Sequence, residues 1–334
     1  MRYLILRPAI GVYLVMFFTA INAQVLTPQY GVSMIANSQG YYEYLPKGYS
    51  SGNQTYPLLI LLHGIGELGN GSSSQLSSLL QYGPQHLITE GVFPTSFTVN
   101  GQTFSFIIIV PQFINWPQPT DVDSIIDYAI QHYHVDISRI YLTGLSMGGG
   151  AVWEYAGNNT TYGNRIAAMV PISGADWPDD GRANNIAAAN IPVWATHNDS
   201  DQTVPSWYTI DYVTEINTAP ILPKTLARMN IFHSYAHDAW DTTYSLNFKP
   251  DGLNIYQWML QFQRSFTNYW TGLISSAWEN PLNWSLNIVP DKNTDVVVNA
   301  GTIIVSSNAT VKSLNLSPGV KFTVSSPYNF TVDH

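Results

Sequence analysis

The sequence predicts an α/β protein built on a doubly wound, mainly parallel sheet and followed by a small all-β module. Three observations predict it. Short apolar runs alternate with amphipathic helix patterns from Gly40 to about Arg264, and strand, helix, strand in repetition builds a parallel sheet with helices on both faces. The runs are apolar throughout, as strands covered on both faces must be. Beyond Ser265 the helix patterns stop, and short β runs recur about eight residues apart.

The elements follow in order. Residues 1–23 read as a secretory signal. Met1 to Arg7 is basic, Ala9 to Ala20 is apolar, and Ala23 is a small residue suited to cleavage before Gln24. Pro8 and Gly11 interrupt the apolar run, which falls short of the ~20 residues of a spanning helix. Residues 24–265 form the α/β domain. Its strands are expected at Tyr56–Leu62, Phe106–Val110, Ile140–Thr143, Ile166–Ile172 and Pro192–Ala195, with Met229–Phe232 a weaker sixth. The clearest helix runs from Asp121 to Tyr133, with Val122, Ile125, Ile126, Ala129 and Ile130 on one face. Residues 266–334 form the β-rich module. The runs Asp295–Asn299, Thr302–Val305, Val311–Leu316 and Val320–Val324 fit either a small sandwich or stacked rungs like those of a β-solenoid.

Composition limits the function. Thirteen basic residues against 22 acidic give a net charge of −9. No basic stretch gathers the cations, which argues against nucleic acid and anionic membranes as partners. The absence of cysteine excludes disulfides, thiolate catalysis and cysteine-ligated zinc. No spacing of His, Asp and Glu calls for a metal site, and no cofactor is expected.

The chemistry gathers in loops that follow strands, where parallel sheets bind their ligands. Gly144-Leu-Ser146-Met-Gly148 lies between an apolar strand and a helix pattern. A serine on such a turn is strained, and small residues are needed two positions to either side. Its hydroxyl needs a histidine as base and a carboxylate to fix that histidine's tautomer, in the chain order Ser, Asp, His. The loop after Pro192–Ala195 supplies Asp199 and Asp201. The loop after Met229–Phe232 supplies His233 and His237. Asp199 is read as a loop cap and His233 as a packed histidine, leaving Asp201 and His237 for the chemistry. Backbone amides of Met147 and Ile65 would form the oxyanion hole, with His63 holding the second loop by hydrogen bonds.

His63-Gly-Ile-Gly66, Gly144-Leu-Ser-Met-Gly148, His197-Asn-Asp-Ser-Asp201-Gln-Thr-Val-Pro205 and His237-Asp-Ala-Trp240 resemble the four signature segments of the α/β-hydrolase superfamily. The closest resemblance is to exported carboxylesterases of the phospholipase/carboxylesterase, polyhydroxybutyrate depolymerase and feruloyl esterase group. It spans roughly Gly40 to Arg264. The resemblance implies ester hydrolysis through an acyl-enzyme, with the second acidic position of the loop, Asp201, as the triad acid. Asn198 stands where those relatives usually have glycine.

Trp116, Trp177, Trp207 and Trp240 lie in or near loops on the same side of the sheet. Of these, Trp177 and Trp240 are the substrate-binding candidates, for an aromatic acyl group or a sugar ring. The tail's Trp270, Trp278 and Trp284 sit in segments that resemble β-rich repeats of secreted Bacteroidetes proteins. That resemblance implies an accessory role, with polysaccharide contact through exposed tryptophans. The alternatives to a secreted serine esterase are a peptidase of the prolyl oligopeptidase type and a catalytically inert polysaccharide-binding or adhesion protein.

Overall fold

The computed structural model describes residues 25–49 and 54–333. The leader expected at residues 1–23 lies outside the described residues. Eight strands form one sheet: β1 (Leu26–Ile35), β2 (Ser38–Tyr44), β3 (Tyr56–Leu62), β4 (Ile107–Phe113), β5 (Val135–Leu145), β6 (Ala168–Ile172), β7 (Trp194–Asn198) and β8 (Arg228–Phe232). Their spatial order is β1-β2-β4-β3-β5-β6-β7-β8. All neighbours from β4 to β8 run parallel, while β2 is antiparallel to both β1 and β4.

β3 shows why the sheet is two-sided. All seven of its residues are buried. Leu58, Ile60 and Leu62 face one apolar cluster, and Leu59 and Leu61 face another, as the two-residue period of a strand requires. The first cluster is covered by α1 (Pro119–His132), α2 (Met147–Asn158), α3 (Asp180–Ala188) and α4 (Trp207–Thr218). Short helices, including α5 (Ala239–Thr243) and α6 (Ile255–Met259), cover the second. α1 starts two residues before the expected Asp121. Gln118 and Asp121 form a reciprocal cap there, and Pro119 fits the first turn, where its missing N–H costs nothing.

β1 and β2 have no counterpart in the sequence reading. Their residues, rich in Tyr, Gly, Ser and Gln, lack an apolar run, and β1 is an exposed edge. β8, the weak sixth strand, is the opposite edge, which explains its half-exposed pattern. Arg264 ends this part of the chain. Its guanidinium donates to the carbonyls of Ile166, Ala189 and Gly163, and burial draws its pKa down to about 10.

The tail consists of β9 (Phe266–Tyr269), β10 (Thr294–Val298), β11 (Thr302–Val305), β12 (Ala309–Val311), β13 (Ser313–Leu316), β14 (Lys321–Val324) and β15 (Phe330–Val332). Pairing between these strands is parallel. β10 lies between β9 and β13, β11 pairs with β14, and β12 pairs with β15. Asp295 sits beside Ser313, Thr302 beside Lys321 and Ala309 beside Phe330, so these turns take about 20 residues, while the first, with Phe266 beside Thr294, is longer. The apolar run Val311–Leu316 is split by a corner at Lys312 into two strands of different sheets. One expectation is overturned. Trp278 and Trp284 are fully buried and Trp270 packs against them, so these tryptophans build the module's core rather than an exposed binding face.

Candidate active site

Ser146 stands between β5 and α2 with φ 52° and ψ −116°, a conformation costly for any residue with a Cβ. The turn is fixed from both ends. Ser146 N–H donates to Ile172 (2.9 Å), and the Ser146 carbonyl accepts from Gly150 (2.9 Å) and Ala175 (3.0 Å). A Cβ at Gly144 would lie 2.4 Å from the Gly148 carbonyl oxygen, and one at Gly148 would lie 1.9 Å from that of Leu62. Only glycine fits either position, and the turn lies tightly against β3 as a result.

The loops after β7 and β8 bring two Asp–His pairs side by side. His237 Nδ1 donates to Asp201 Oδ2 at 2.6 Å, which leaves Nε2 bare to accept the Ser146 hydroxyl at 2.8 Å. The Asp201 side chain is fully buried. Its other oxygen accepts the amides of Thr203 (2.8 Å) and Val204 (3.0 Å), so the carboxylate is satisfied away from water. Asp199 pairs instead with His233 at 2.7 Å, at the surface, where the His233 side chain is 87% exposed. That hydrogen bond lowers the Asp199 pKa. Two pairs of almost equal spacing thus differ in burial, and only Asp201–His237 reaches Ser146.

Asn198, at the position usually held by glycine, ties the two loops together. Its side-chain amide donates to the Ala236 carbonyl and to Asp238 Oδ1, each at 2.8 Å. His197 lies beneath Asp201. It accepts from Thr209 and donates to the Val204 carbonyl, and burial lowers its pKa.

The turn after β3 carries Ile65. Among the described residues, neither the Ile65 amide nor that of Met147, the first residue of α2, donates to an acceptor. His63 is a buried brace. Its Nε2 accepts the Phe113 amide (2.9 Å), so the proton sits on Nδ1, which donates to the Gly64 carbonyl (2.7 Å). Burial lowers its pKa to about 4. The native state therefore binds this proton less readily than the unfolded chain. Stability is fully present above pH 6.5 and drains away as pH falls toward 4, by on the order of 3 kcal/mol. Unfolding free energies of the wild type and His63→Gln at pH 7 and pH 4 measure this, and the variant is expected to show a smaller drop.

Trp177 is 65% exposed and meets Trp207 at 4.8 Å and Tyr208 at 5.5 Å between ring centroids. It stands two residues from Ala175, which bonds the Ser146 carbonyl. Trp240 is buried. Its ring meets His237 edge-on at 4.9 Å and Tyr82 at 5.6 Å, and with Tyr82 it walls a cavity of about 630 Å³. Ile65, Trp207 and Tyr235 are exposed large side chains as well. Tyr82 escaped the sequence reading because no motif marks it.

The sequence profile of the phospholipase/carboxylesterase family matches residues 49–245, more than half of the chain. No curated protein matches it by sequence. Among solved structures, a thermostable esterase superposes with a TM-score of 0.52 at 21% identity, over 73% of this chain and 64% of the other. The chain thus spans less than two thirds of that protein's length. A feruloyl esterase module from Clostridium thermocellum, complexed with sinapinate, gives 0.47 at 17% identity over 66% of this chain and 83% of that one. A dienelactone hydrolase from Klebsiella pneumoniae gives 0.45 at 16% identity, over 72% and 98%. The chain belongs to the phospholipase/carboxylesterase family of ester-hydrolysing α/β-hydrolases.

Proposed function

We propose that the protein is an exported serine esterase acting through an acyl-enzyme, with Ser146 as nucleophile, His237 as general base and acid, and Asp201 as its orienter. The observation that carries this reading is the continuous hydrogen-bonded run from Ser146 Oγ through His237 to the buried Asp201 carboxylate. His237 Nε2 takes the hydroxyl proton as Oγ attacks the ester carbonyl carbon. The Met147 and Ile65 amides receive the negative charge that develops on the carbonyl oxygen. The alcohol leaves with the proton held by His237. A water molecule, deprotonated by the same nitrogen, then releases the acid and restores Ser146. No cofactor enters.

The substrate reading rests on Trp177 and Trp240. Exposed Trp177, backed by Trp207 and Tyr208, offers a flat face for an aromatic acyl group or the sugar ring of a carbohydrate-linked ester. Trp240, whose ring meets His237, walls a cavity together with Tyr82. Export rests on the leader at residues 1–23; among the described residues no helix is long and apolar enough to cross a membrane.

Turnover of activated esters from acetyl to octanoyl, with feruloyl, by residues 24–334 tests the reading. Ester turnover that disappears in Ser146→Ala supports it, and cleavage of peptide amides at comparable rates would move the assignment to a peptidase. Trp177→Ala is expected to raise KM for the feruloyl ester about 3- to 10-fold, the equivalent of about 1 kcal/mol of ring contact. KM for the acetyl ester should stay within about twofold. An equal rise for both would remove Trp177 from the substrate site.

A further inference from the structure

No step of the reaction described above uses the cavity walled by Tyr82 and Trp240. Its volume, about 630 Å³, falls within the ~300–1,000 Å³ of sites that enclose small molecules. Three of its lining residues tie it to the strands that carry the reacting groups. Gly83 packs so closely on β3 that a Cβ there would lie 2.4 Å from Leu61 Cδ1, two residues before His63 and the turn that bears Ile65. Tyr244 shares a hydrogen bond of 3.0 Å with Thr143 Oγ1 of β5, three residues before Ser146. Trp240 follows His237 by three residues and meets its imidazole edge-on at 4.9 Å. The cavity therefore stands at the carboxyl ends of β3 and β5, where parallel sheets take their ligands, and one ring away from the general acid.

That position decides which half of an ester the cavity serves. His237 Nε2 hands its proton to the oxygen of the leaving alcohol, so the alcohol half lies against the imidazole, and Trp240 is the cavity wall that touches it. The chemistry of the wall describes that alcohol. Trp240 is 7% exposed and its Nε1 has no hydrogen-bond partner, which costs about 1–3 kcal/mol while the donor stays unpaired. His86 Nδ1 donates to the Leu80 carbonyl (3.1 Å), leaving Nε2 bare to accept. Among the described residues, the side chains of Asp241 and Asn247 have no hydrogen-bond or ion-pair partner. Aromatic rings with free donors and acceptors around them fit a sugar, which offers C–H faces to the rings and hydroxyls to both kinds of polar group. A hydrocarbon chain there would pair with none of these groups and would strip water from a carboxylate.

We propose that this cavity holds a sugar as the alcohol half of the ester, so that the substrates are acylated carbohydrates with the sugar on the Trp240 side of His237. This rests on the reading of the protein as a serine esterase. The ferulate esters of methanol and of xylose share one acyl group and differ only in the alcohol. The wild type is expected to favour the xylose ester by about 10-fold or more in kcat/KM. Asp241→Ala and Asn247→Ala are each expected to cut that ratio about 5- to 20-fold, since a site built to bond hydroxyls rejects an alcohol that lacks them. Saturation-transfer NMR with methyl xyloside on Ser146→Ala reads the cavity without turnover. Saturation of the sugar protons is expected, falling about threefold or more in the Ser146→Ala, Asp241→Ala double variant. The proposal is overturned if the wild type shows no preference for the xylose ester, or if the preference survives both substitutions. Turnover of neither ester, with xyloside still bound, would retire the esterase reading and with it the cavity's role as a leaving-group site.

Discussion

Ser146→Ala is expected to lower kcat by about 10⁴- to 10⁶-fold while the protein remains folded, because the hydroxyl is the only atom removed and the base and acid without it have nothing to activate. The strain at this position adds a second, opposite expectation. At φ 52° a Cβ is unfavourable and glycine is not. Ser146→Gly should be as inactive as Ser146→Ala yet more stable by about 1 kcal/mol, after allowance for glycine's extra freedom in the unfolded chain. Chemical denaturation of the two variants measures the difference. A glycine variant less stable than the alanine variant would mean that the turn is relaxed and that the strain plays no part in presenting the hydroxyl.

The second large effect separates the two Asp–His pairs. Asp201→Asn should cost about 10⁴-fold in kcat near neutral pH, since the amide no longer fixes the Nδ1–H tautomer of His237 or offsets the imidazolium formed in the reaction. Asp199→Asn should leave kcat within about twofold, because its partner His233 stands in solvent and touches neither Ser146 nor His237. Steady-state kinetics of the two variants decide the matter. A large loss in Asp199→Asn with little in Asp201→Asn would reverse the assignment of the acid.

How far such a site was legible depended on how narrowly each position is constrained. The glycines at 144 and 148 were legible because a Cβ there collides with main-chain oxygens that no repacking can move. β3 and β4 were legible because burial on both faces admits almost only apolar side chains, the buried Gln112 of β4 being held by hydrogen bonds to main-chain carbonyls. β1 and β2 were not, since an antiparallel edge pair accepts Tyr, Ser and Gln as readily as apolar side chains. The resemblance pointed to Asp201 rather than Asp199, and the fold gives the physical reason: two residues of spacing turn one carboxyl inward to His237 and leave the other at the surface with His233. Asn198 was visible only as a departure, and its two hydrogen bonds to the His237 loop appear once both loops are in place. In the tail, the valine-rich strands were legible and the corners were not. The tryptophans there were misplaced because a small core needs large side chains as much as a binding face does.

Covalent labelling tests the central claim most directly. A fluorophosphonate loses fluoride to an activated serine hydroxyl and stays bonded to it, and peptide mass spectrometry identifies the residue. One adduct per chain is expected, on the peptide containing Ser146, absent from Ser146→Ala and strongly slowed in His237→Ala. Labelling of another residue, or ester turnover that persists in a protein fully modified at Ser146, would contradict the account.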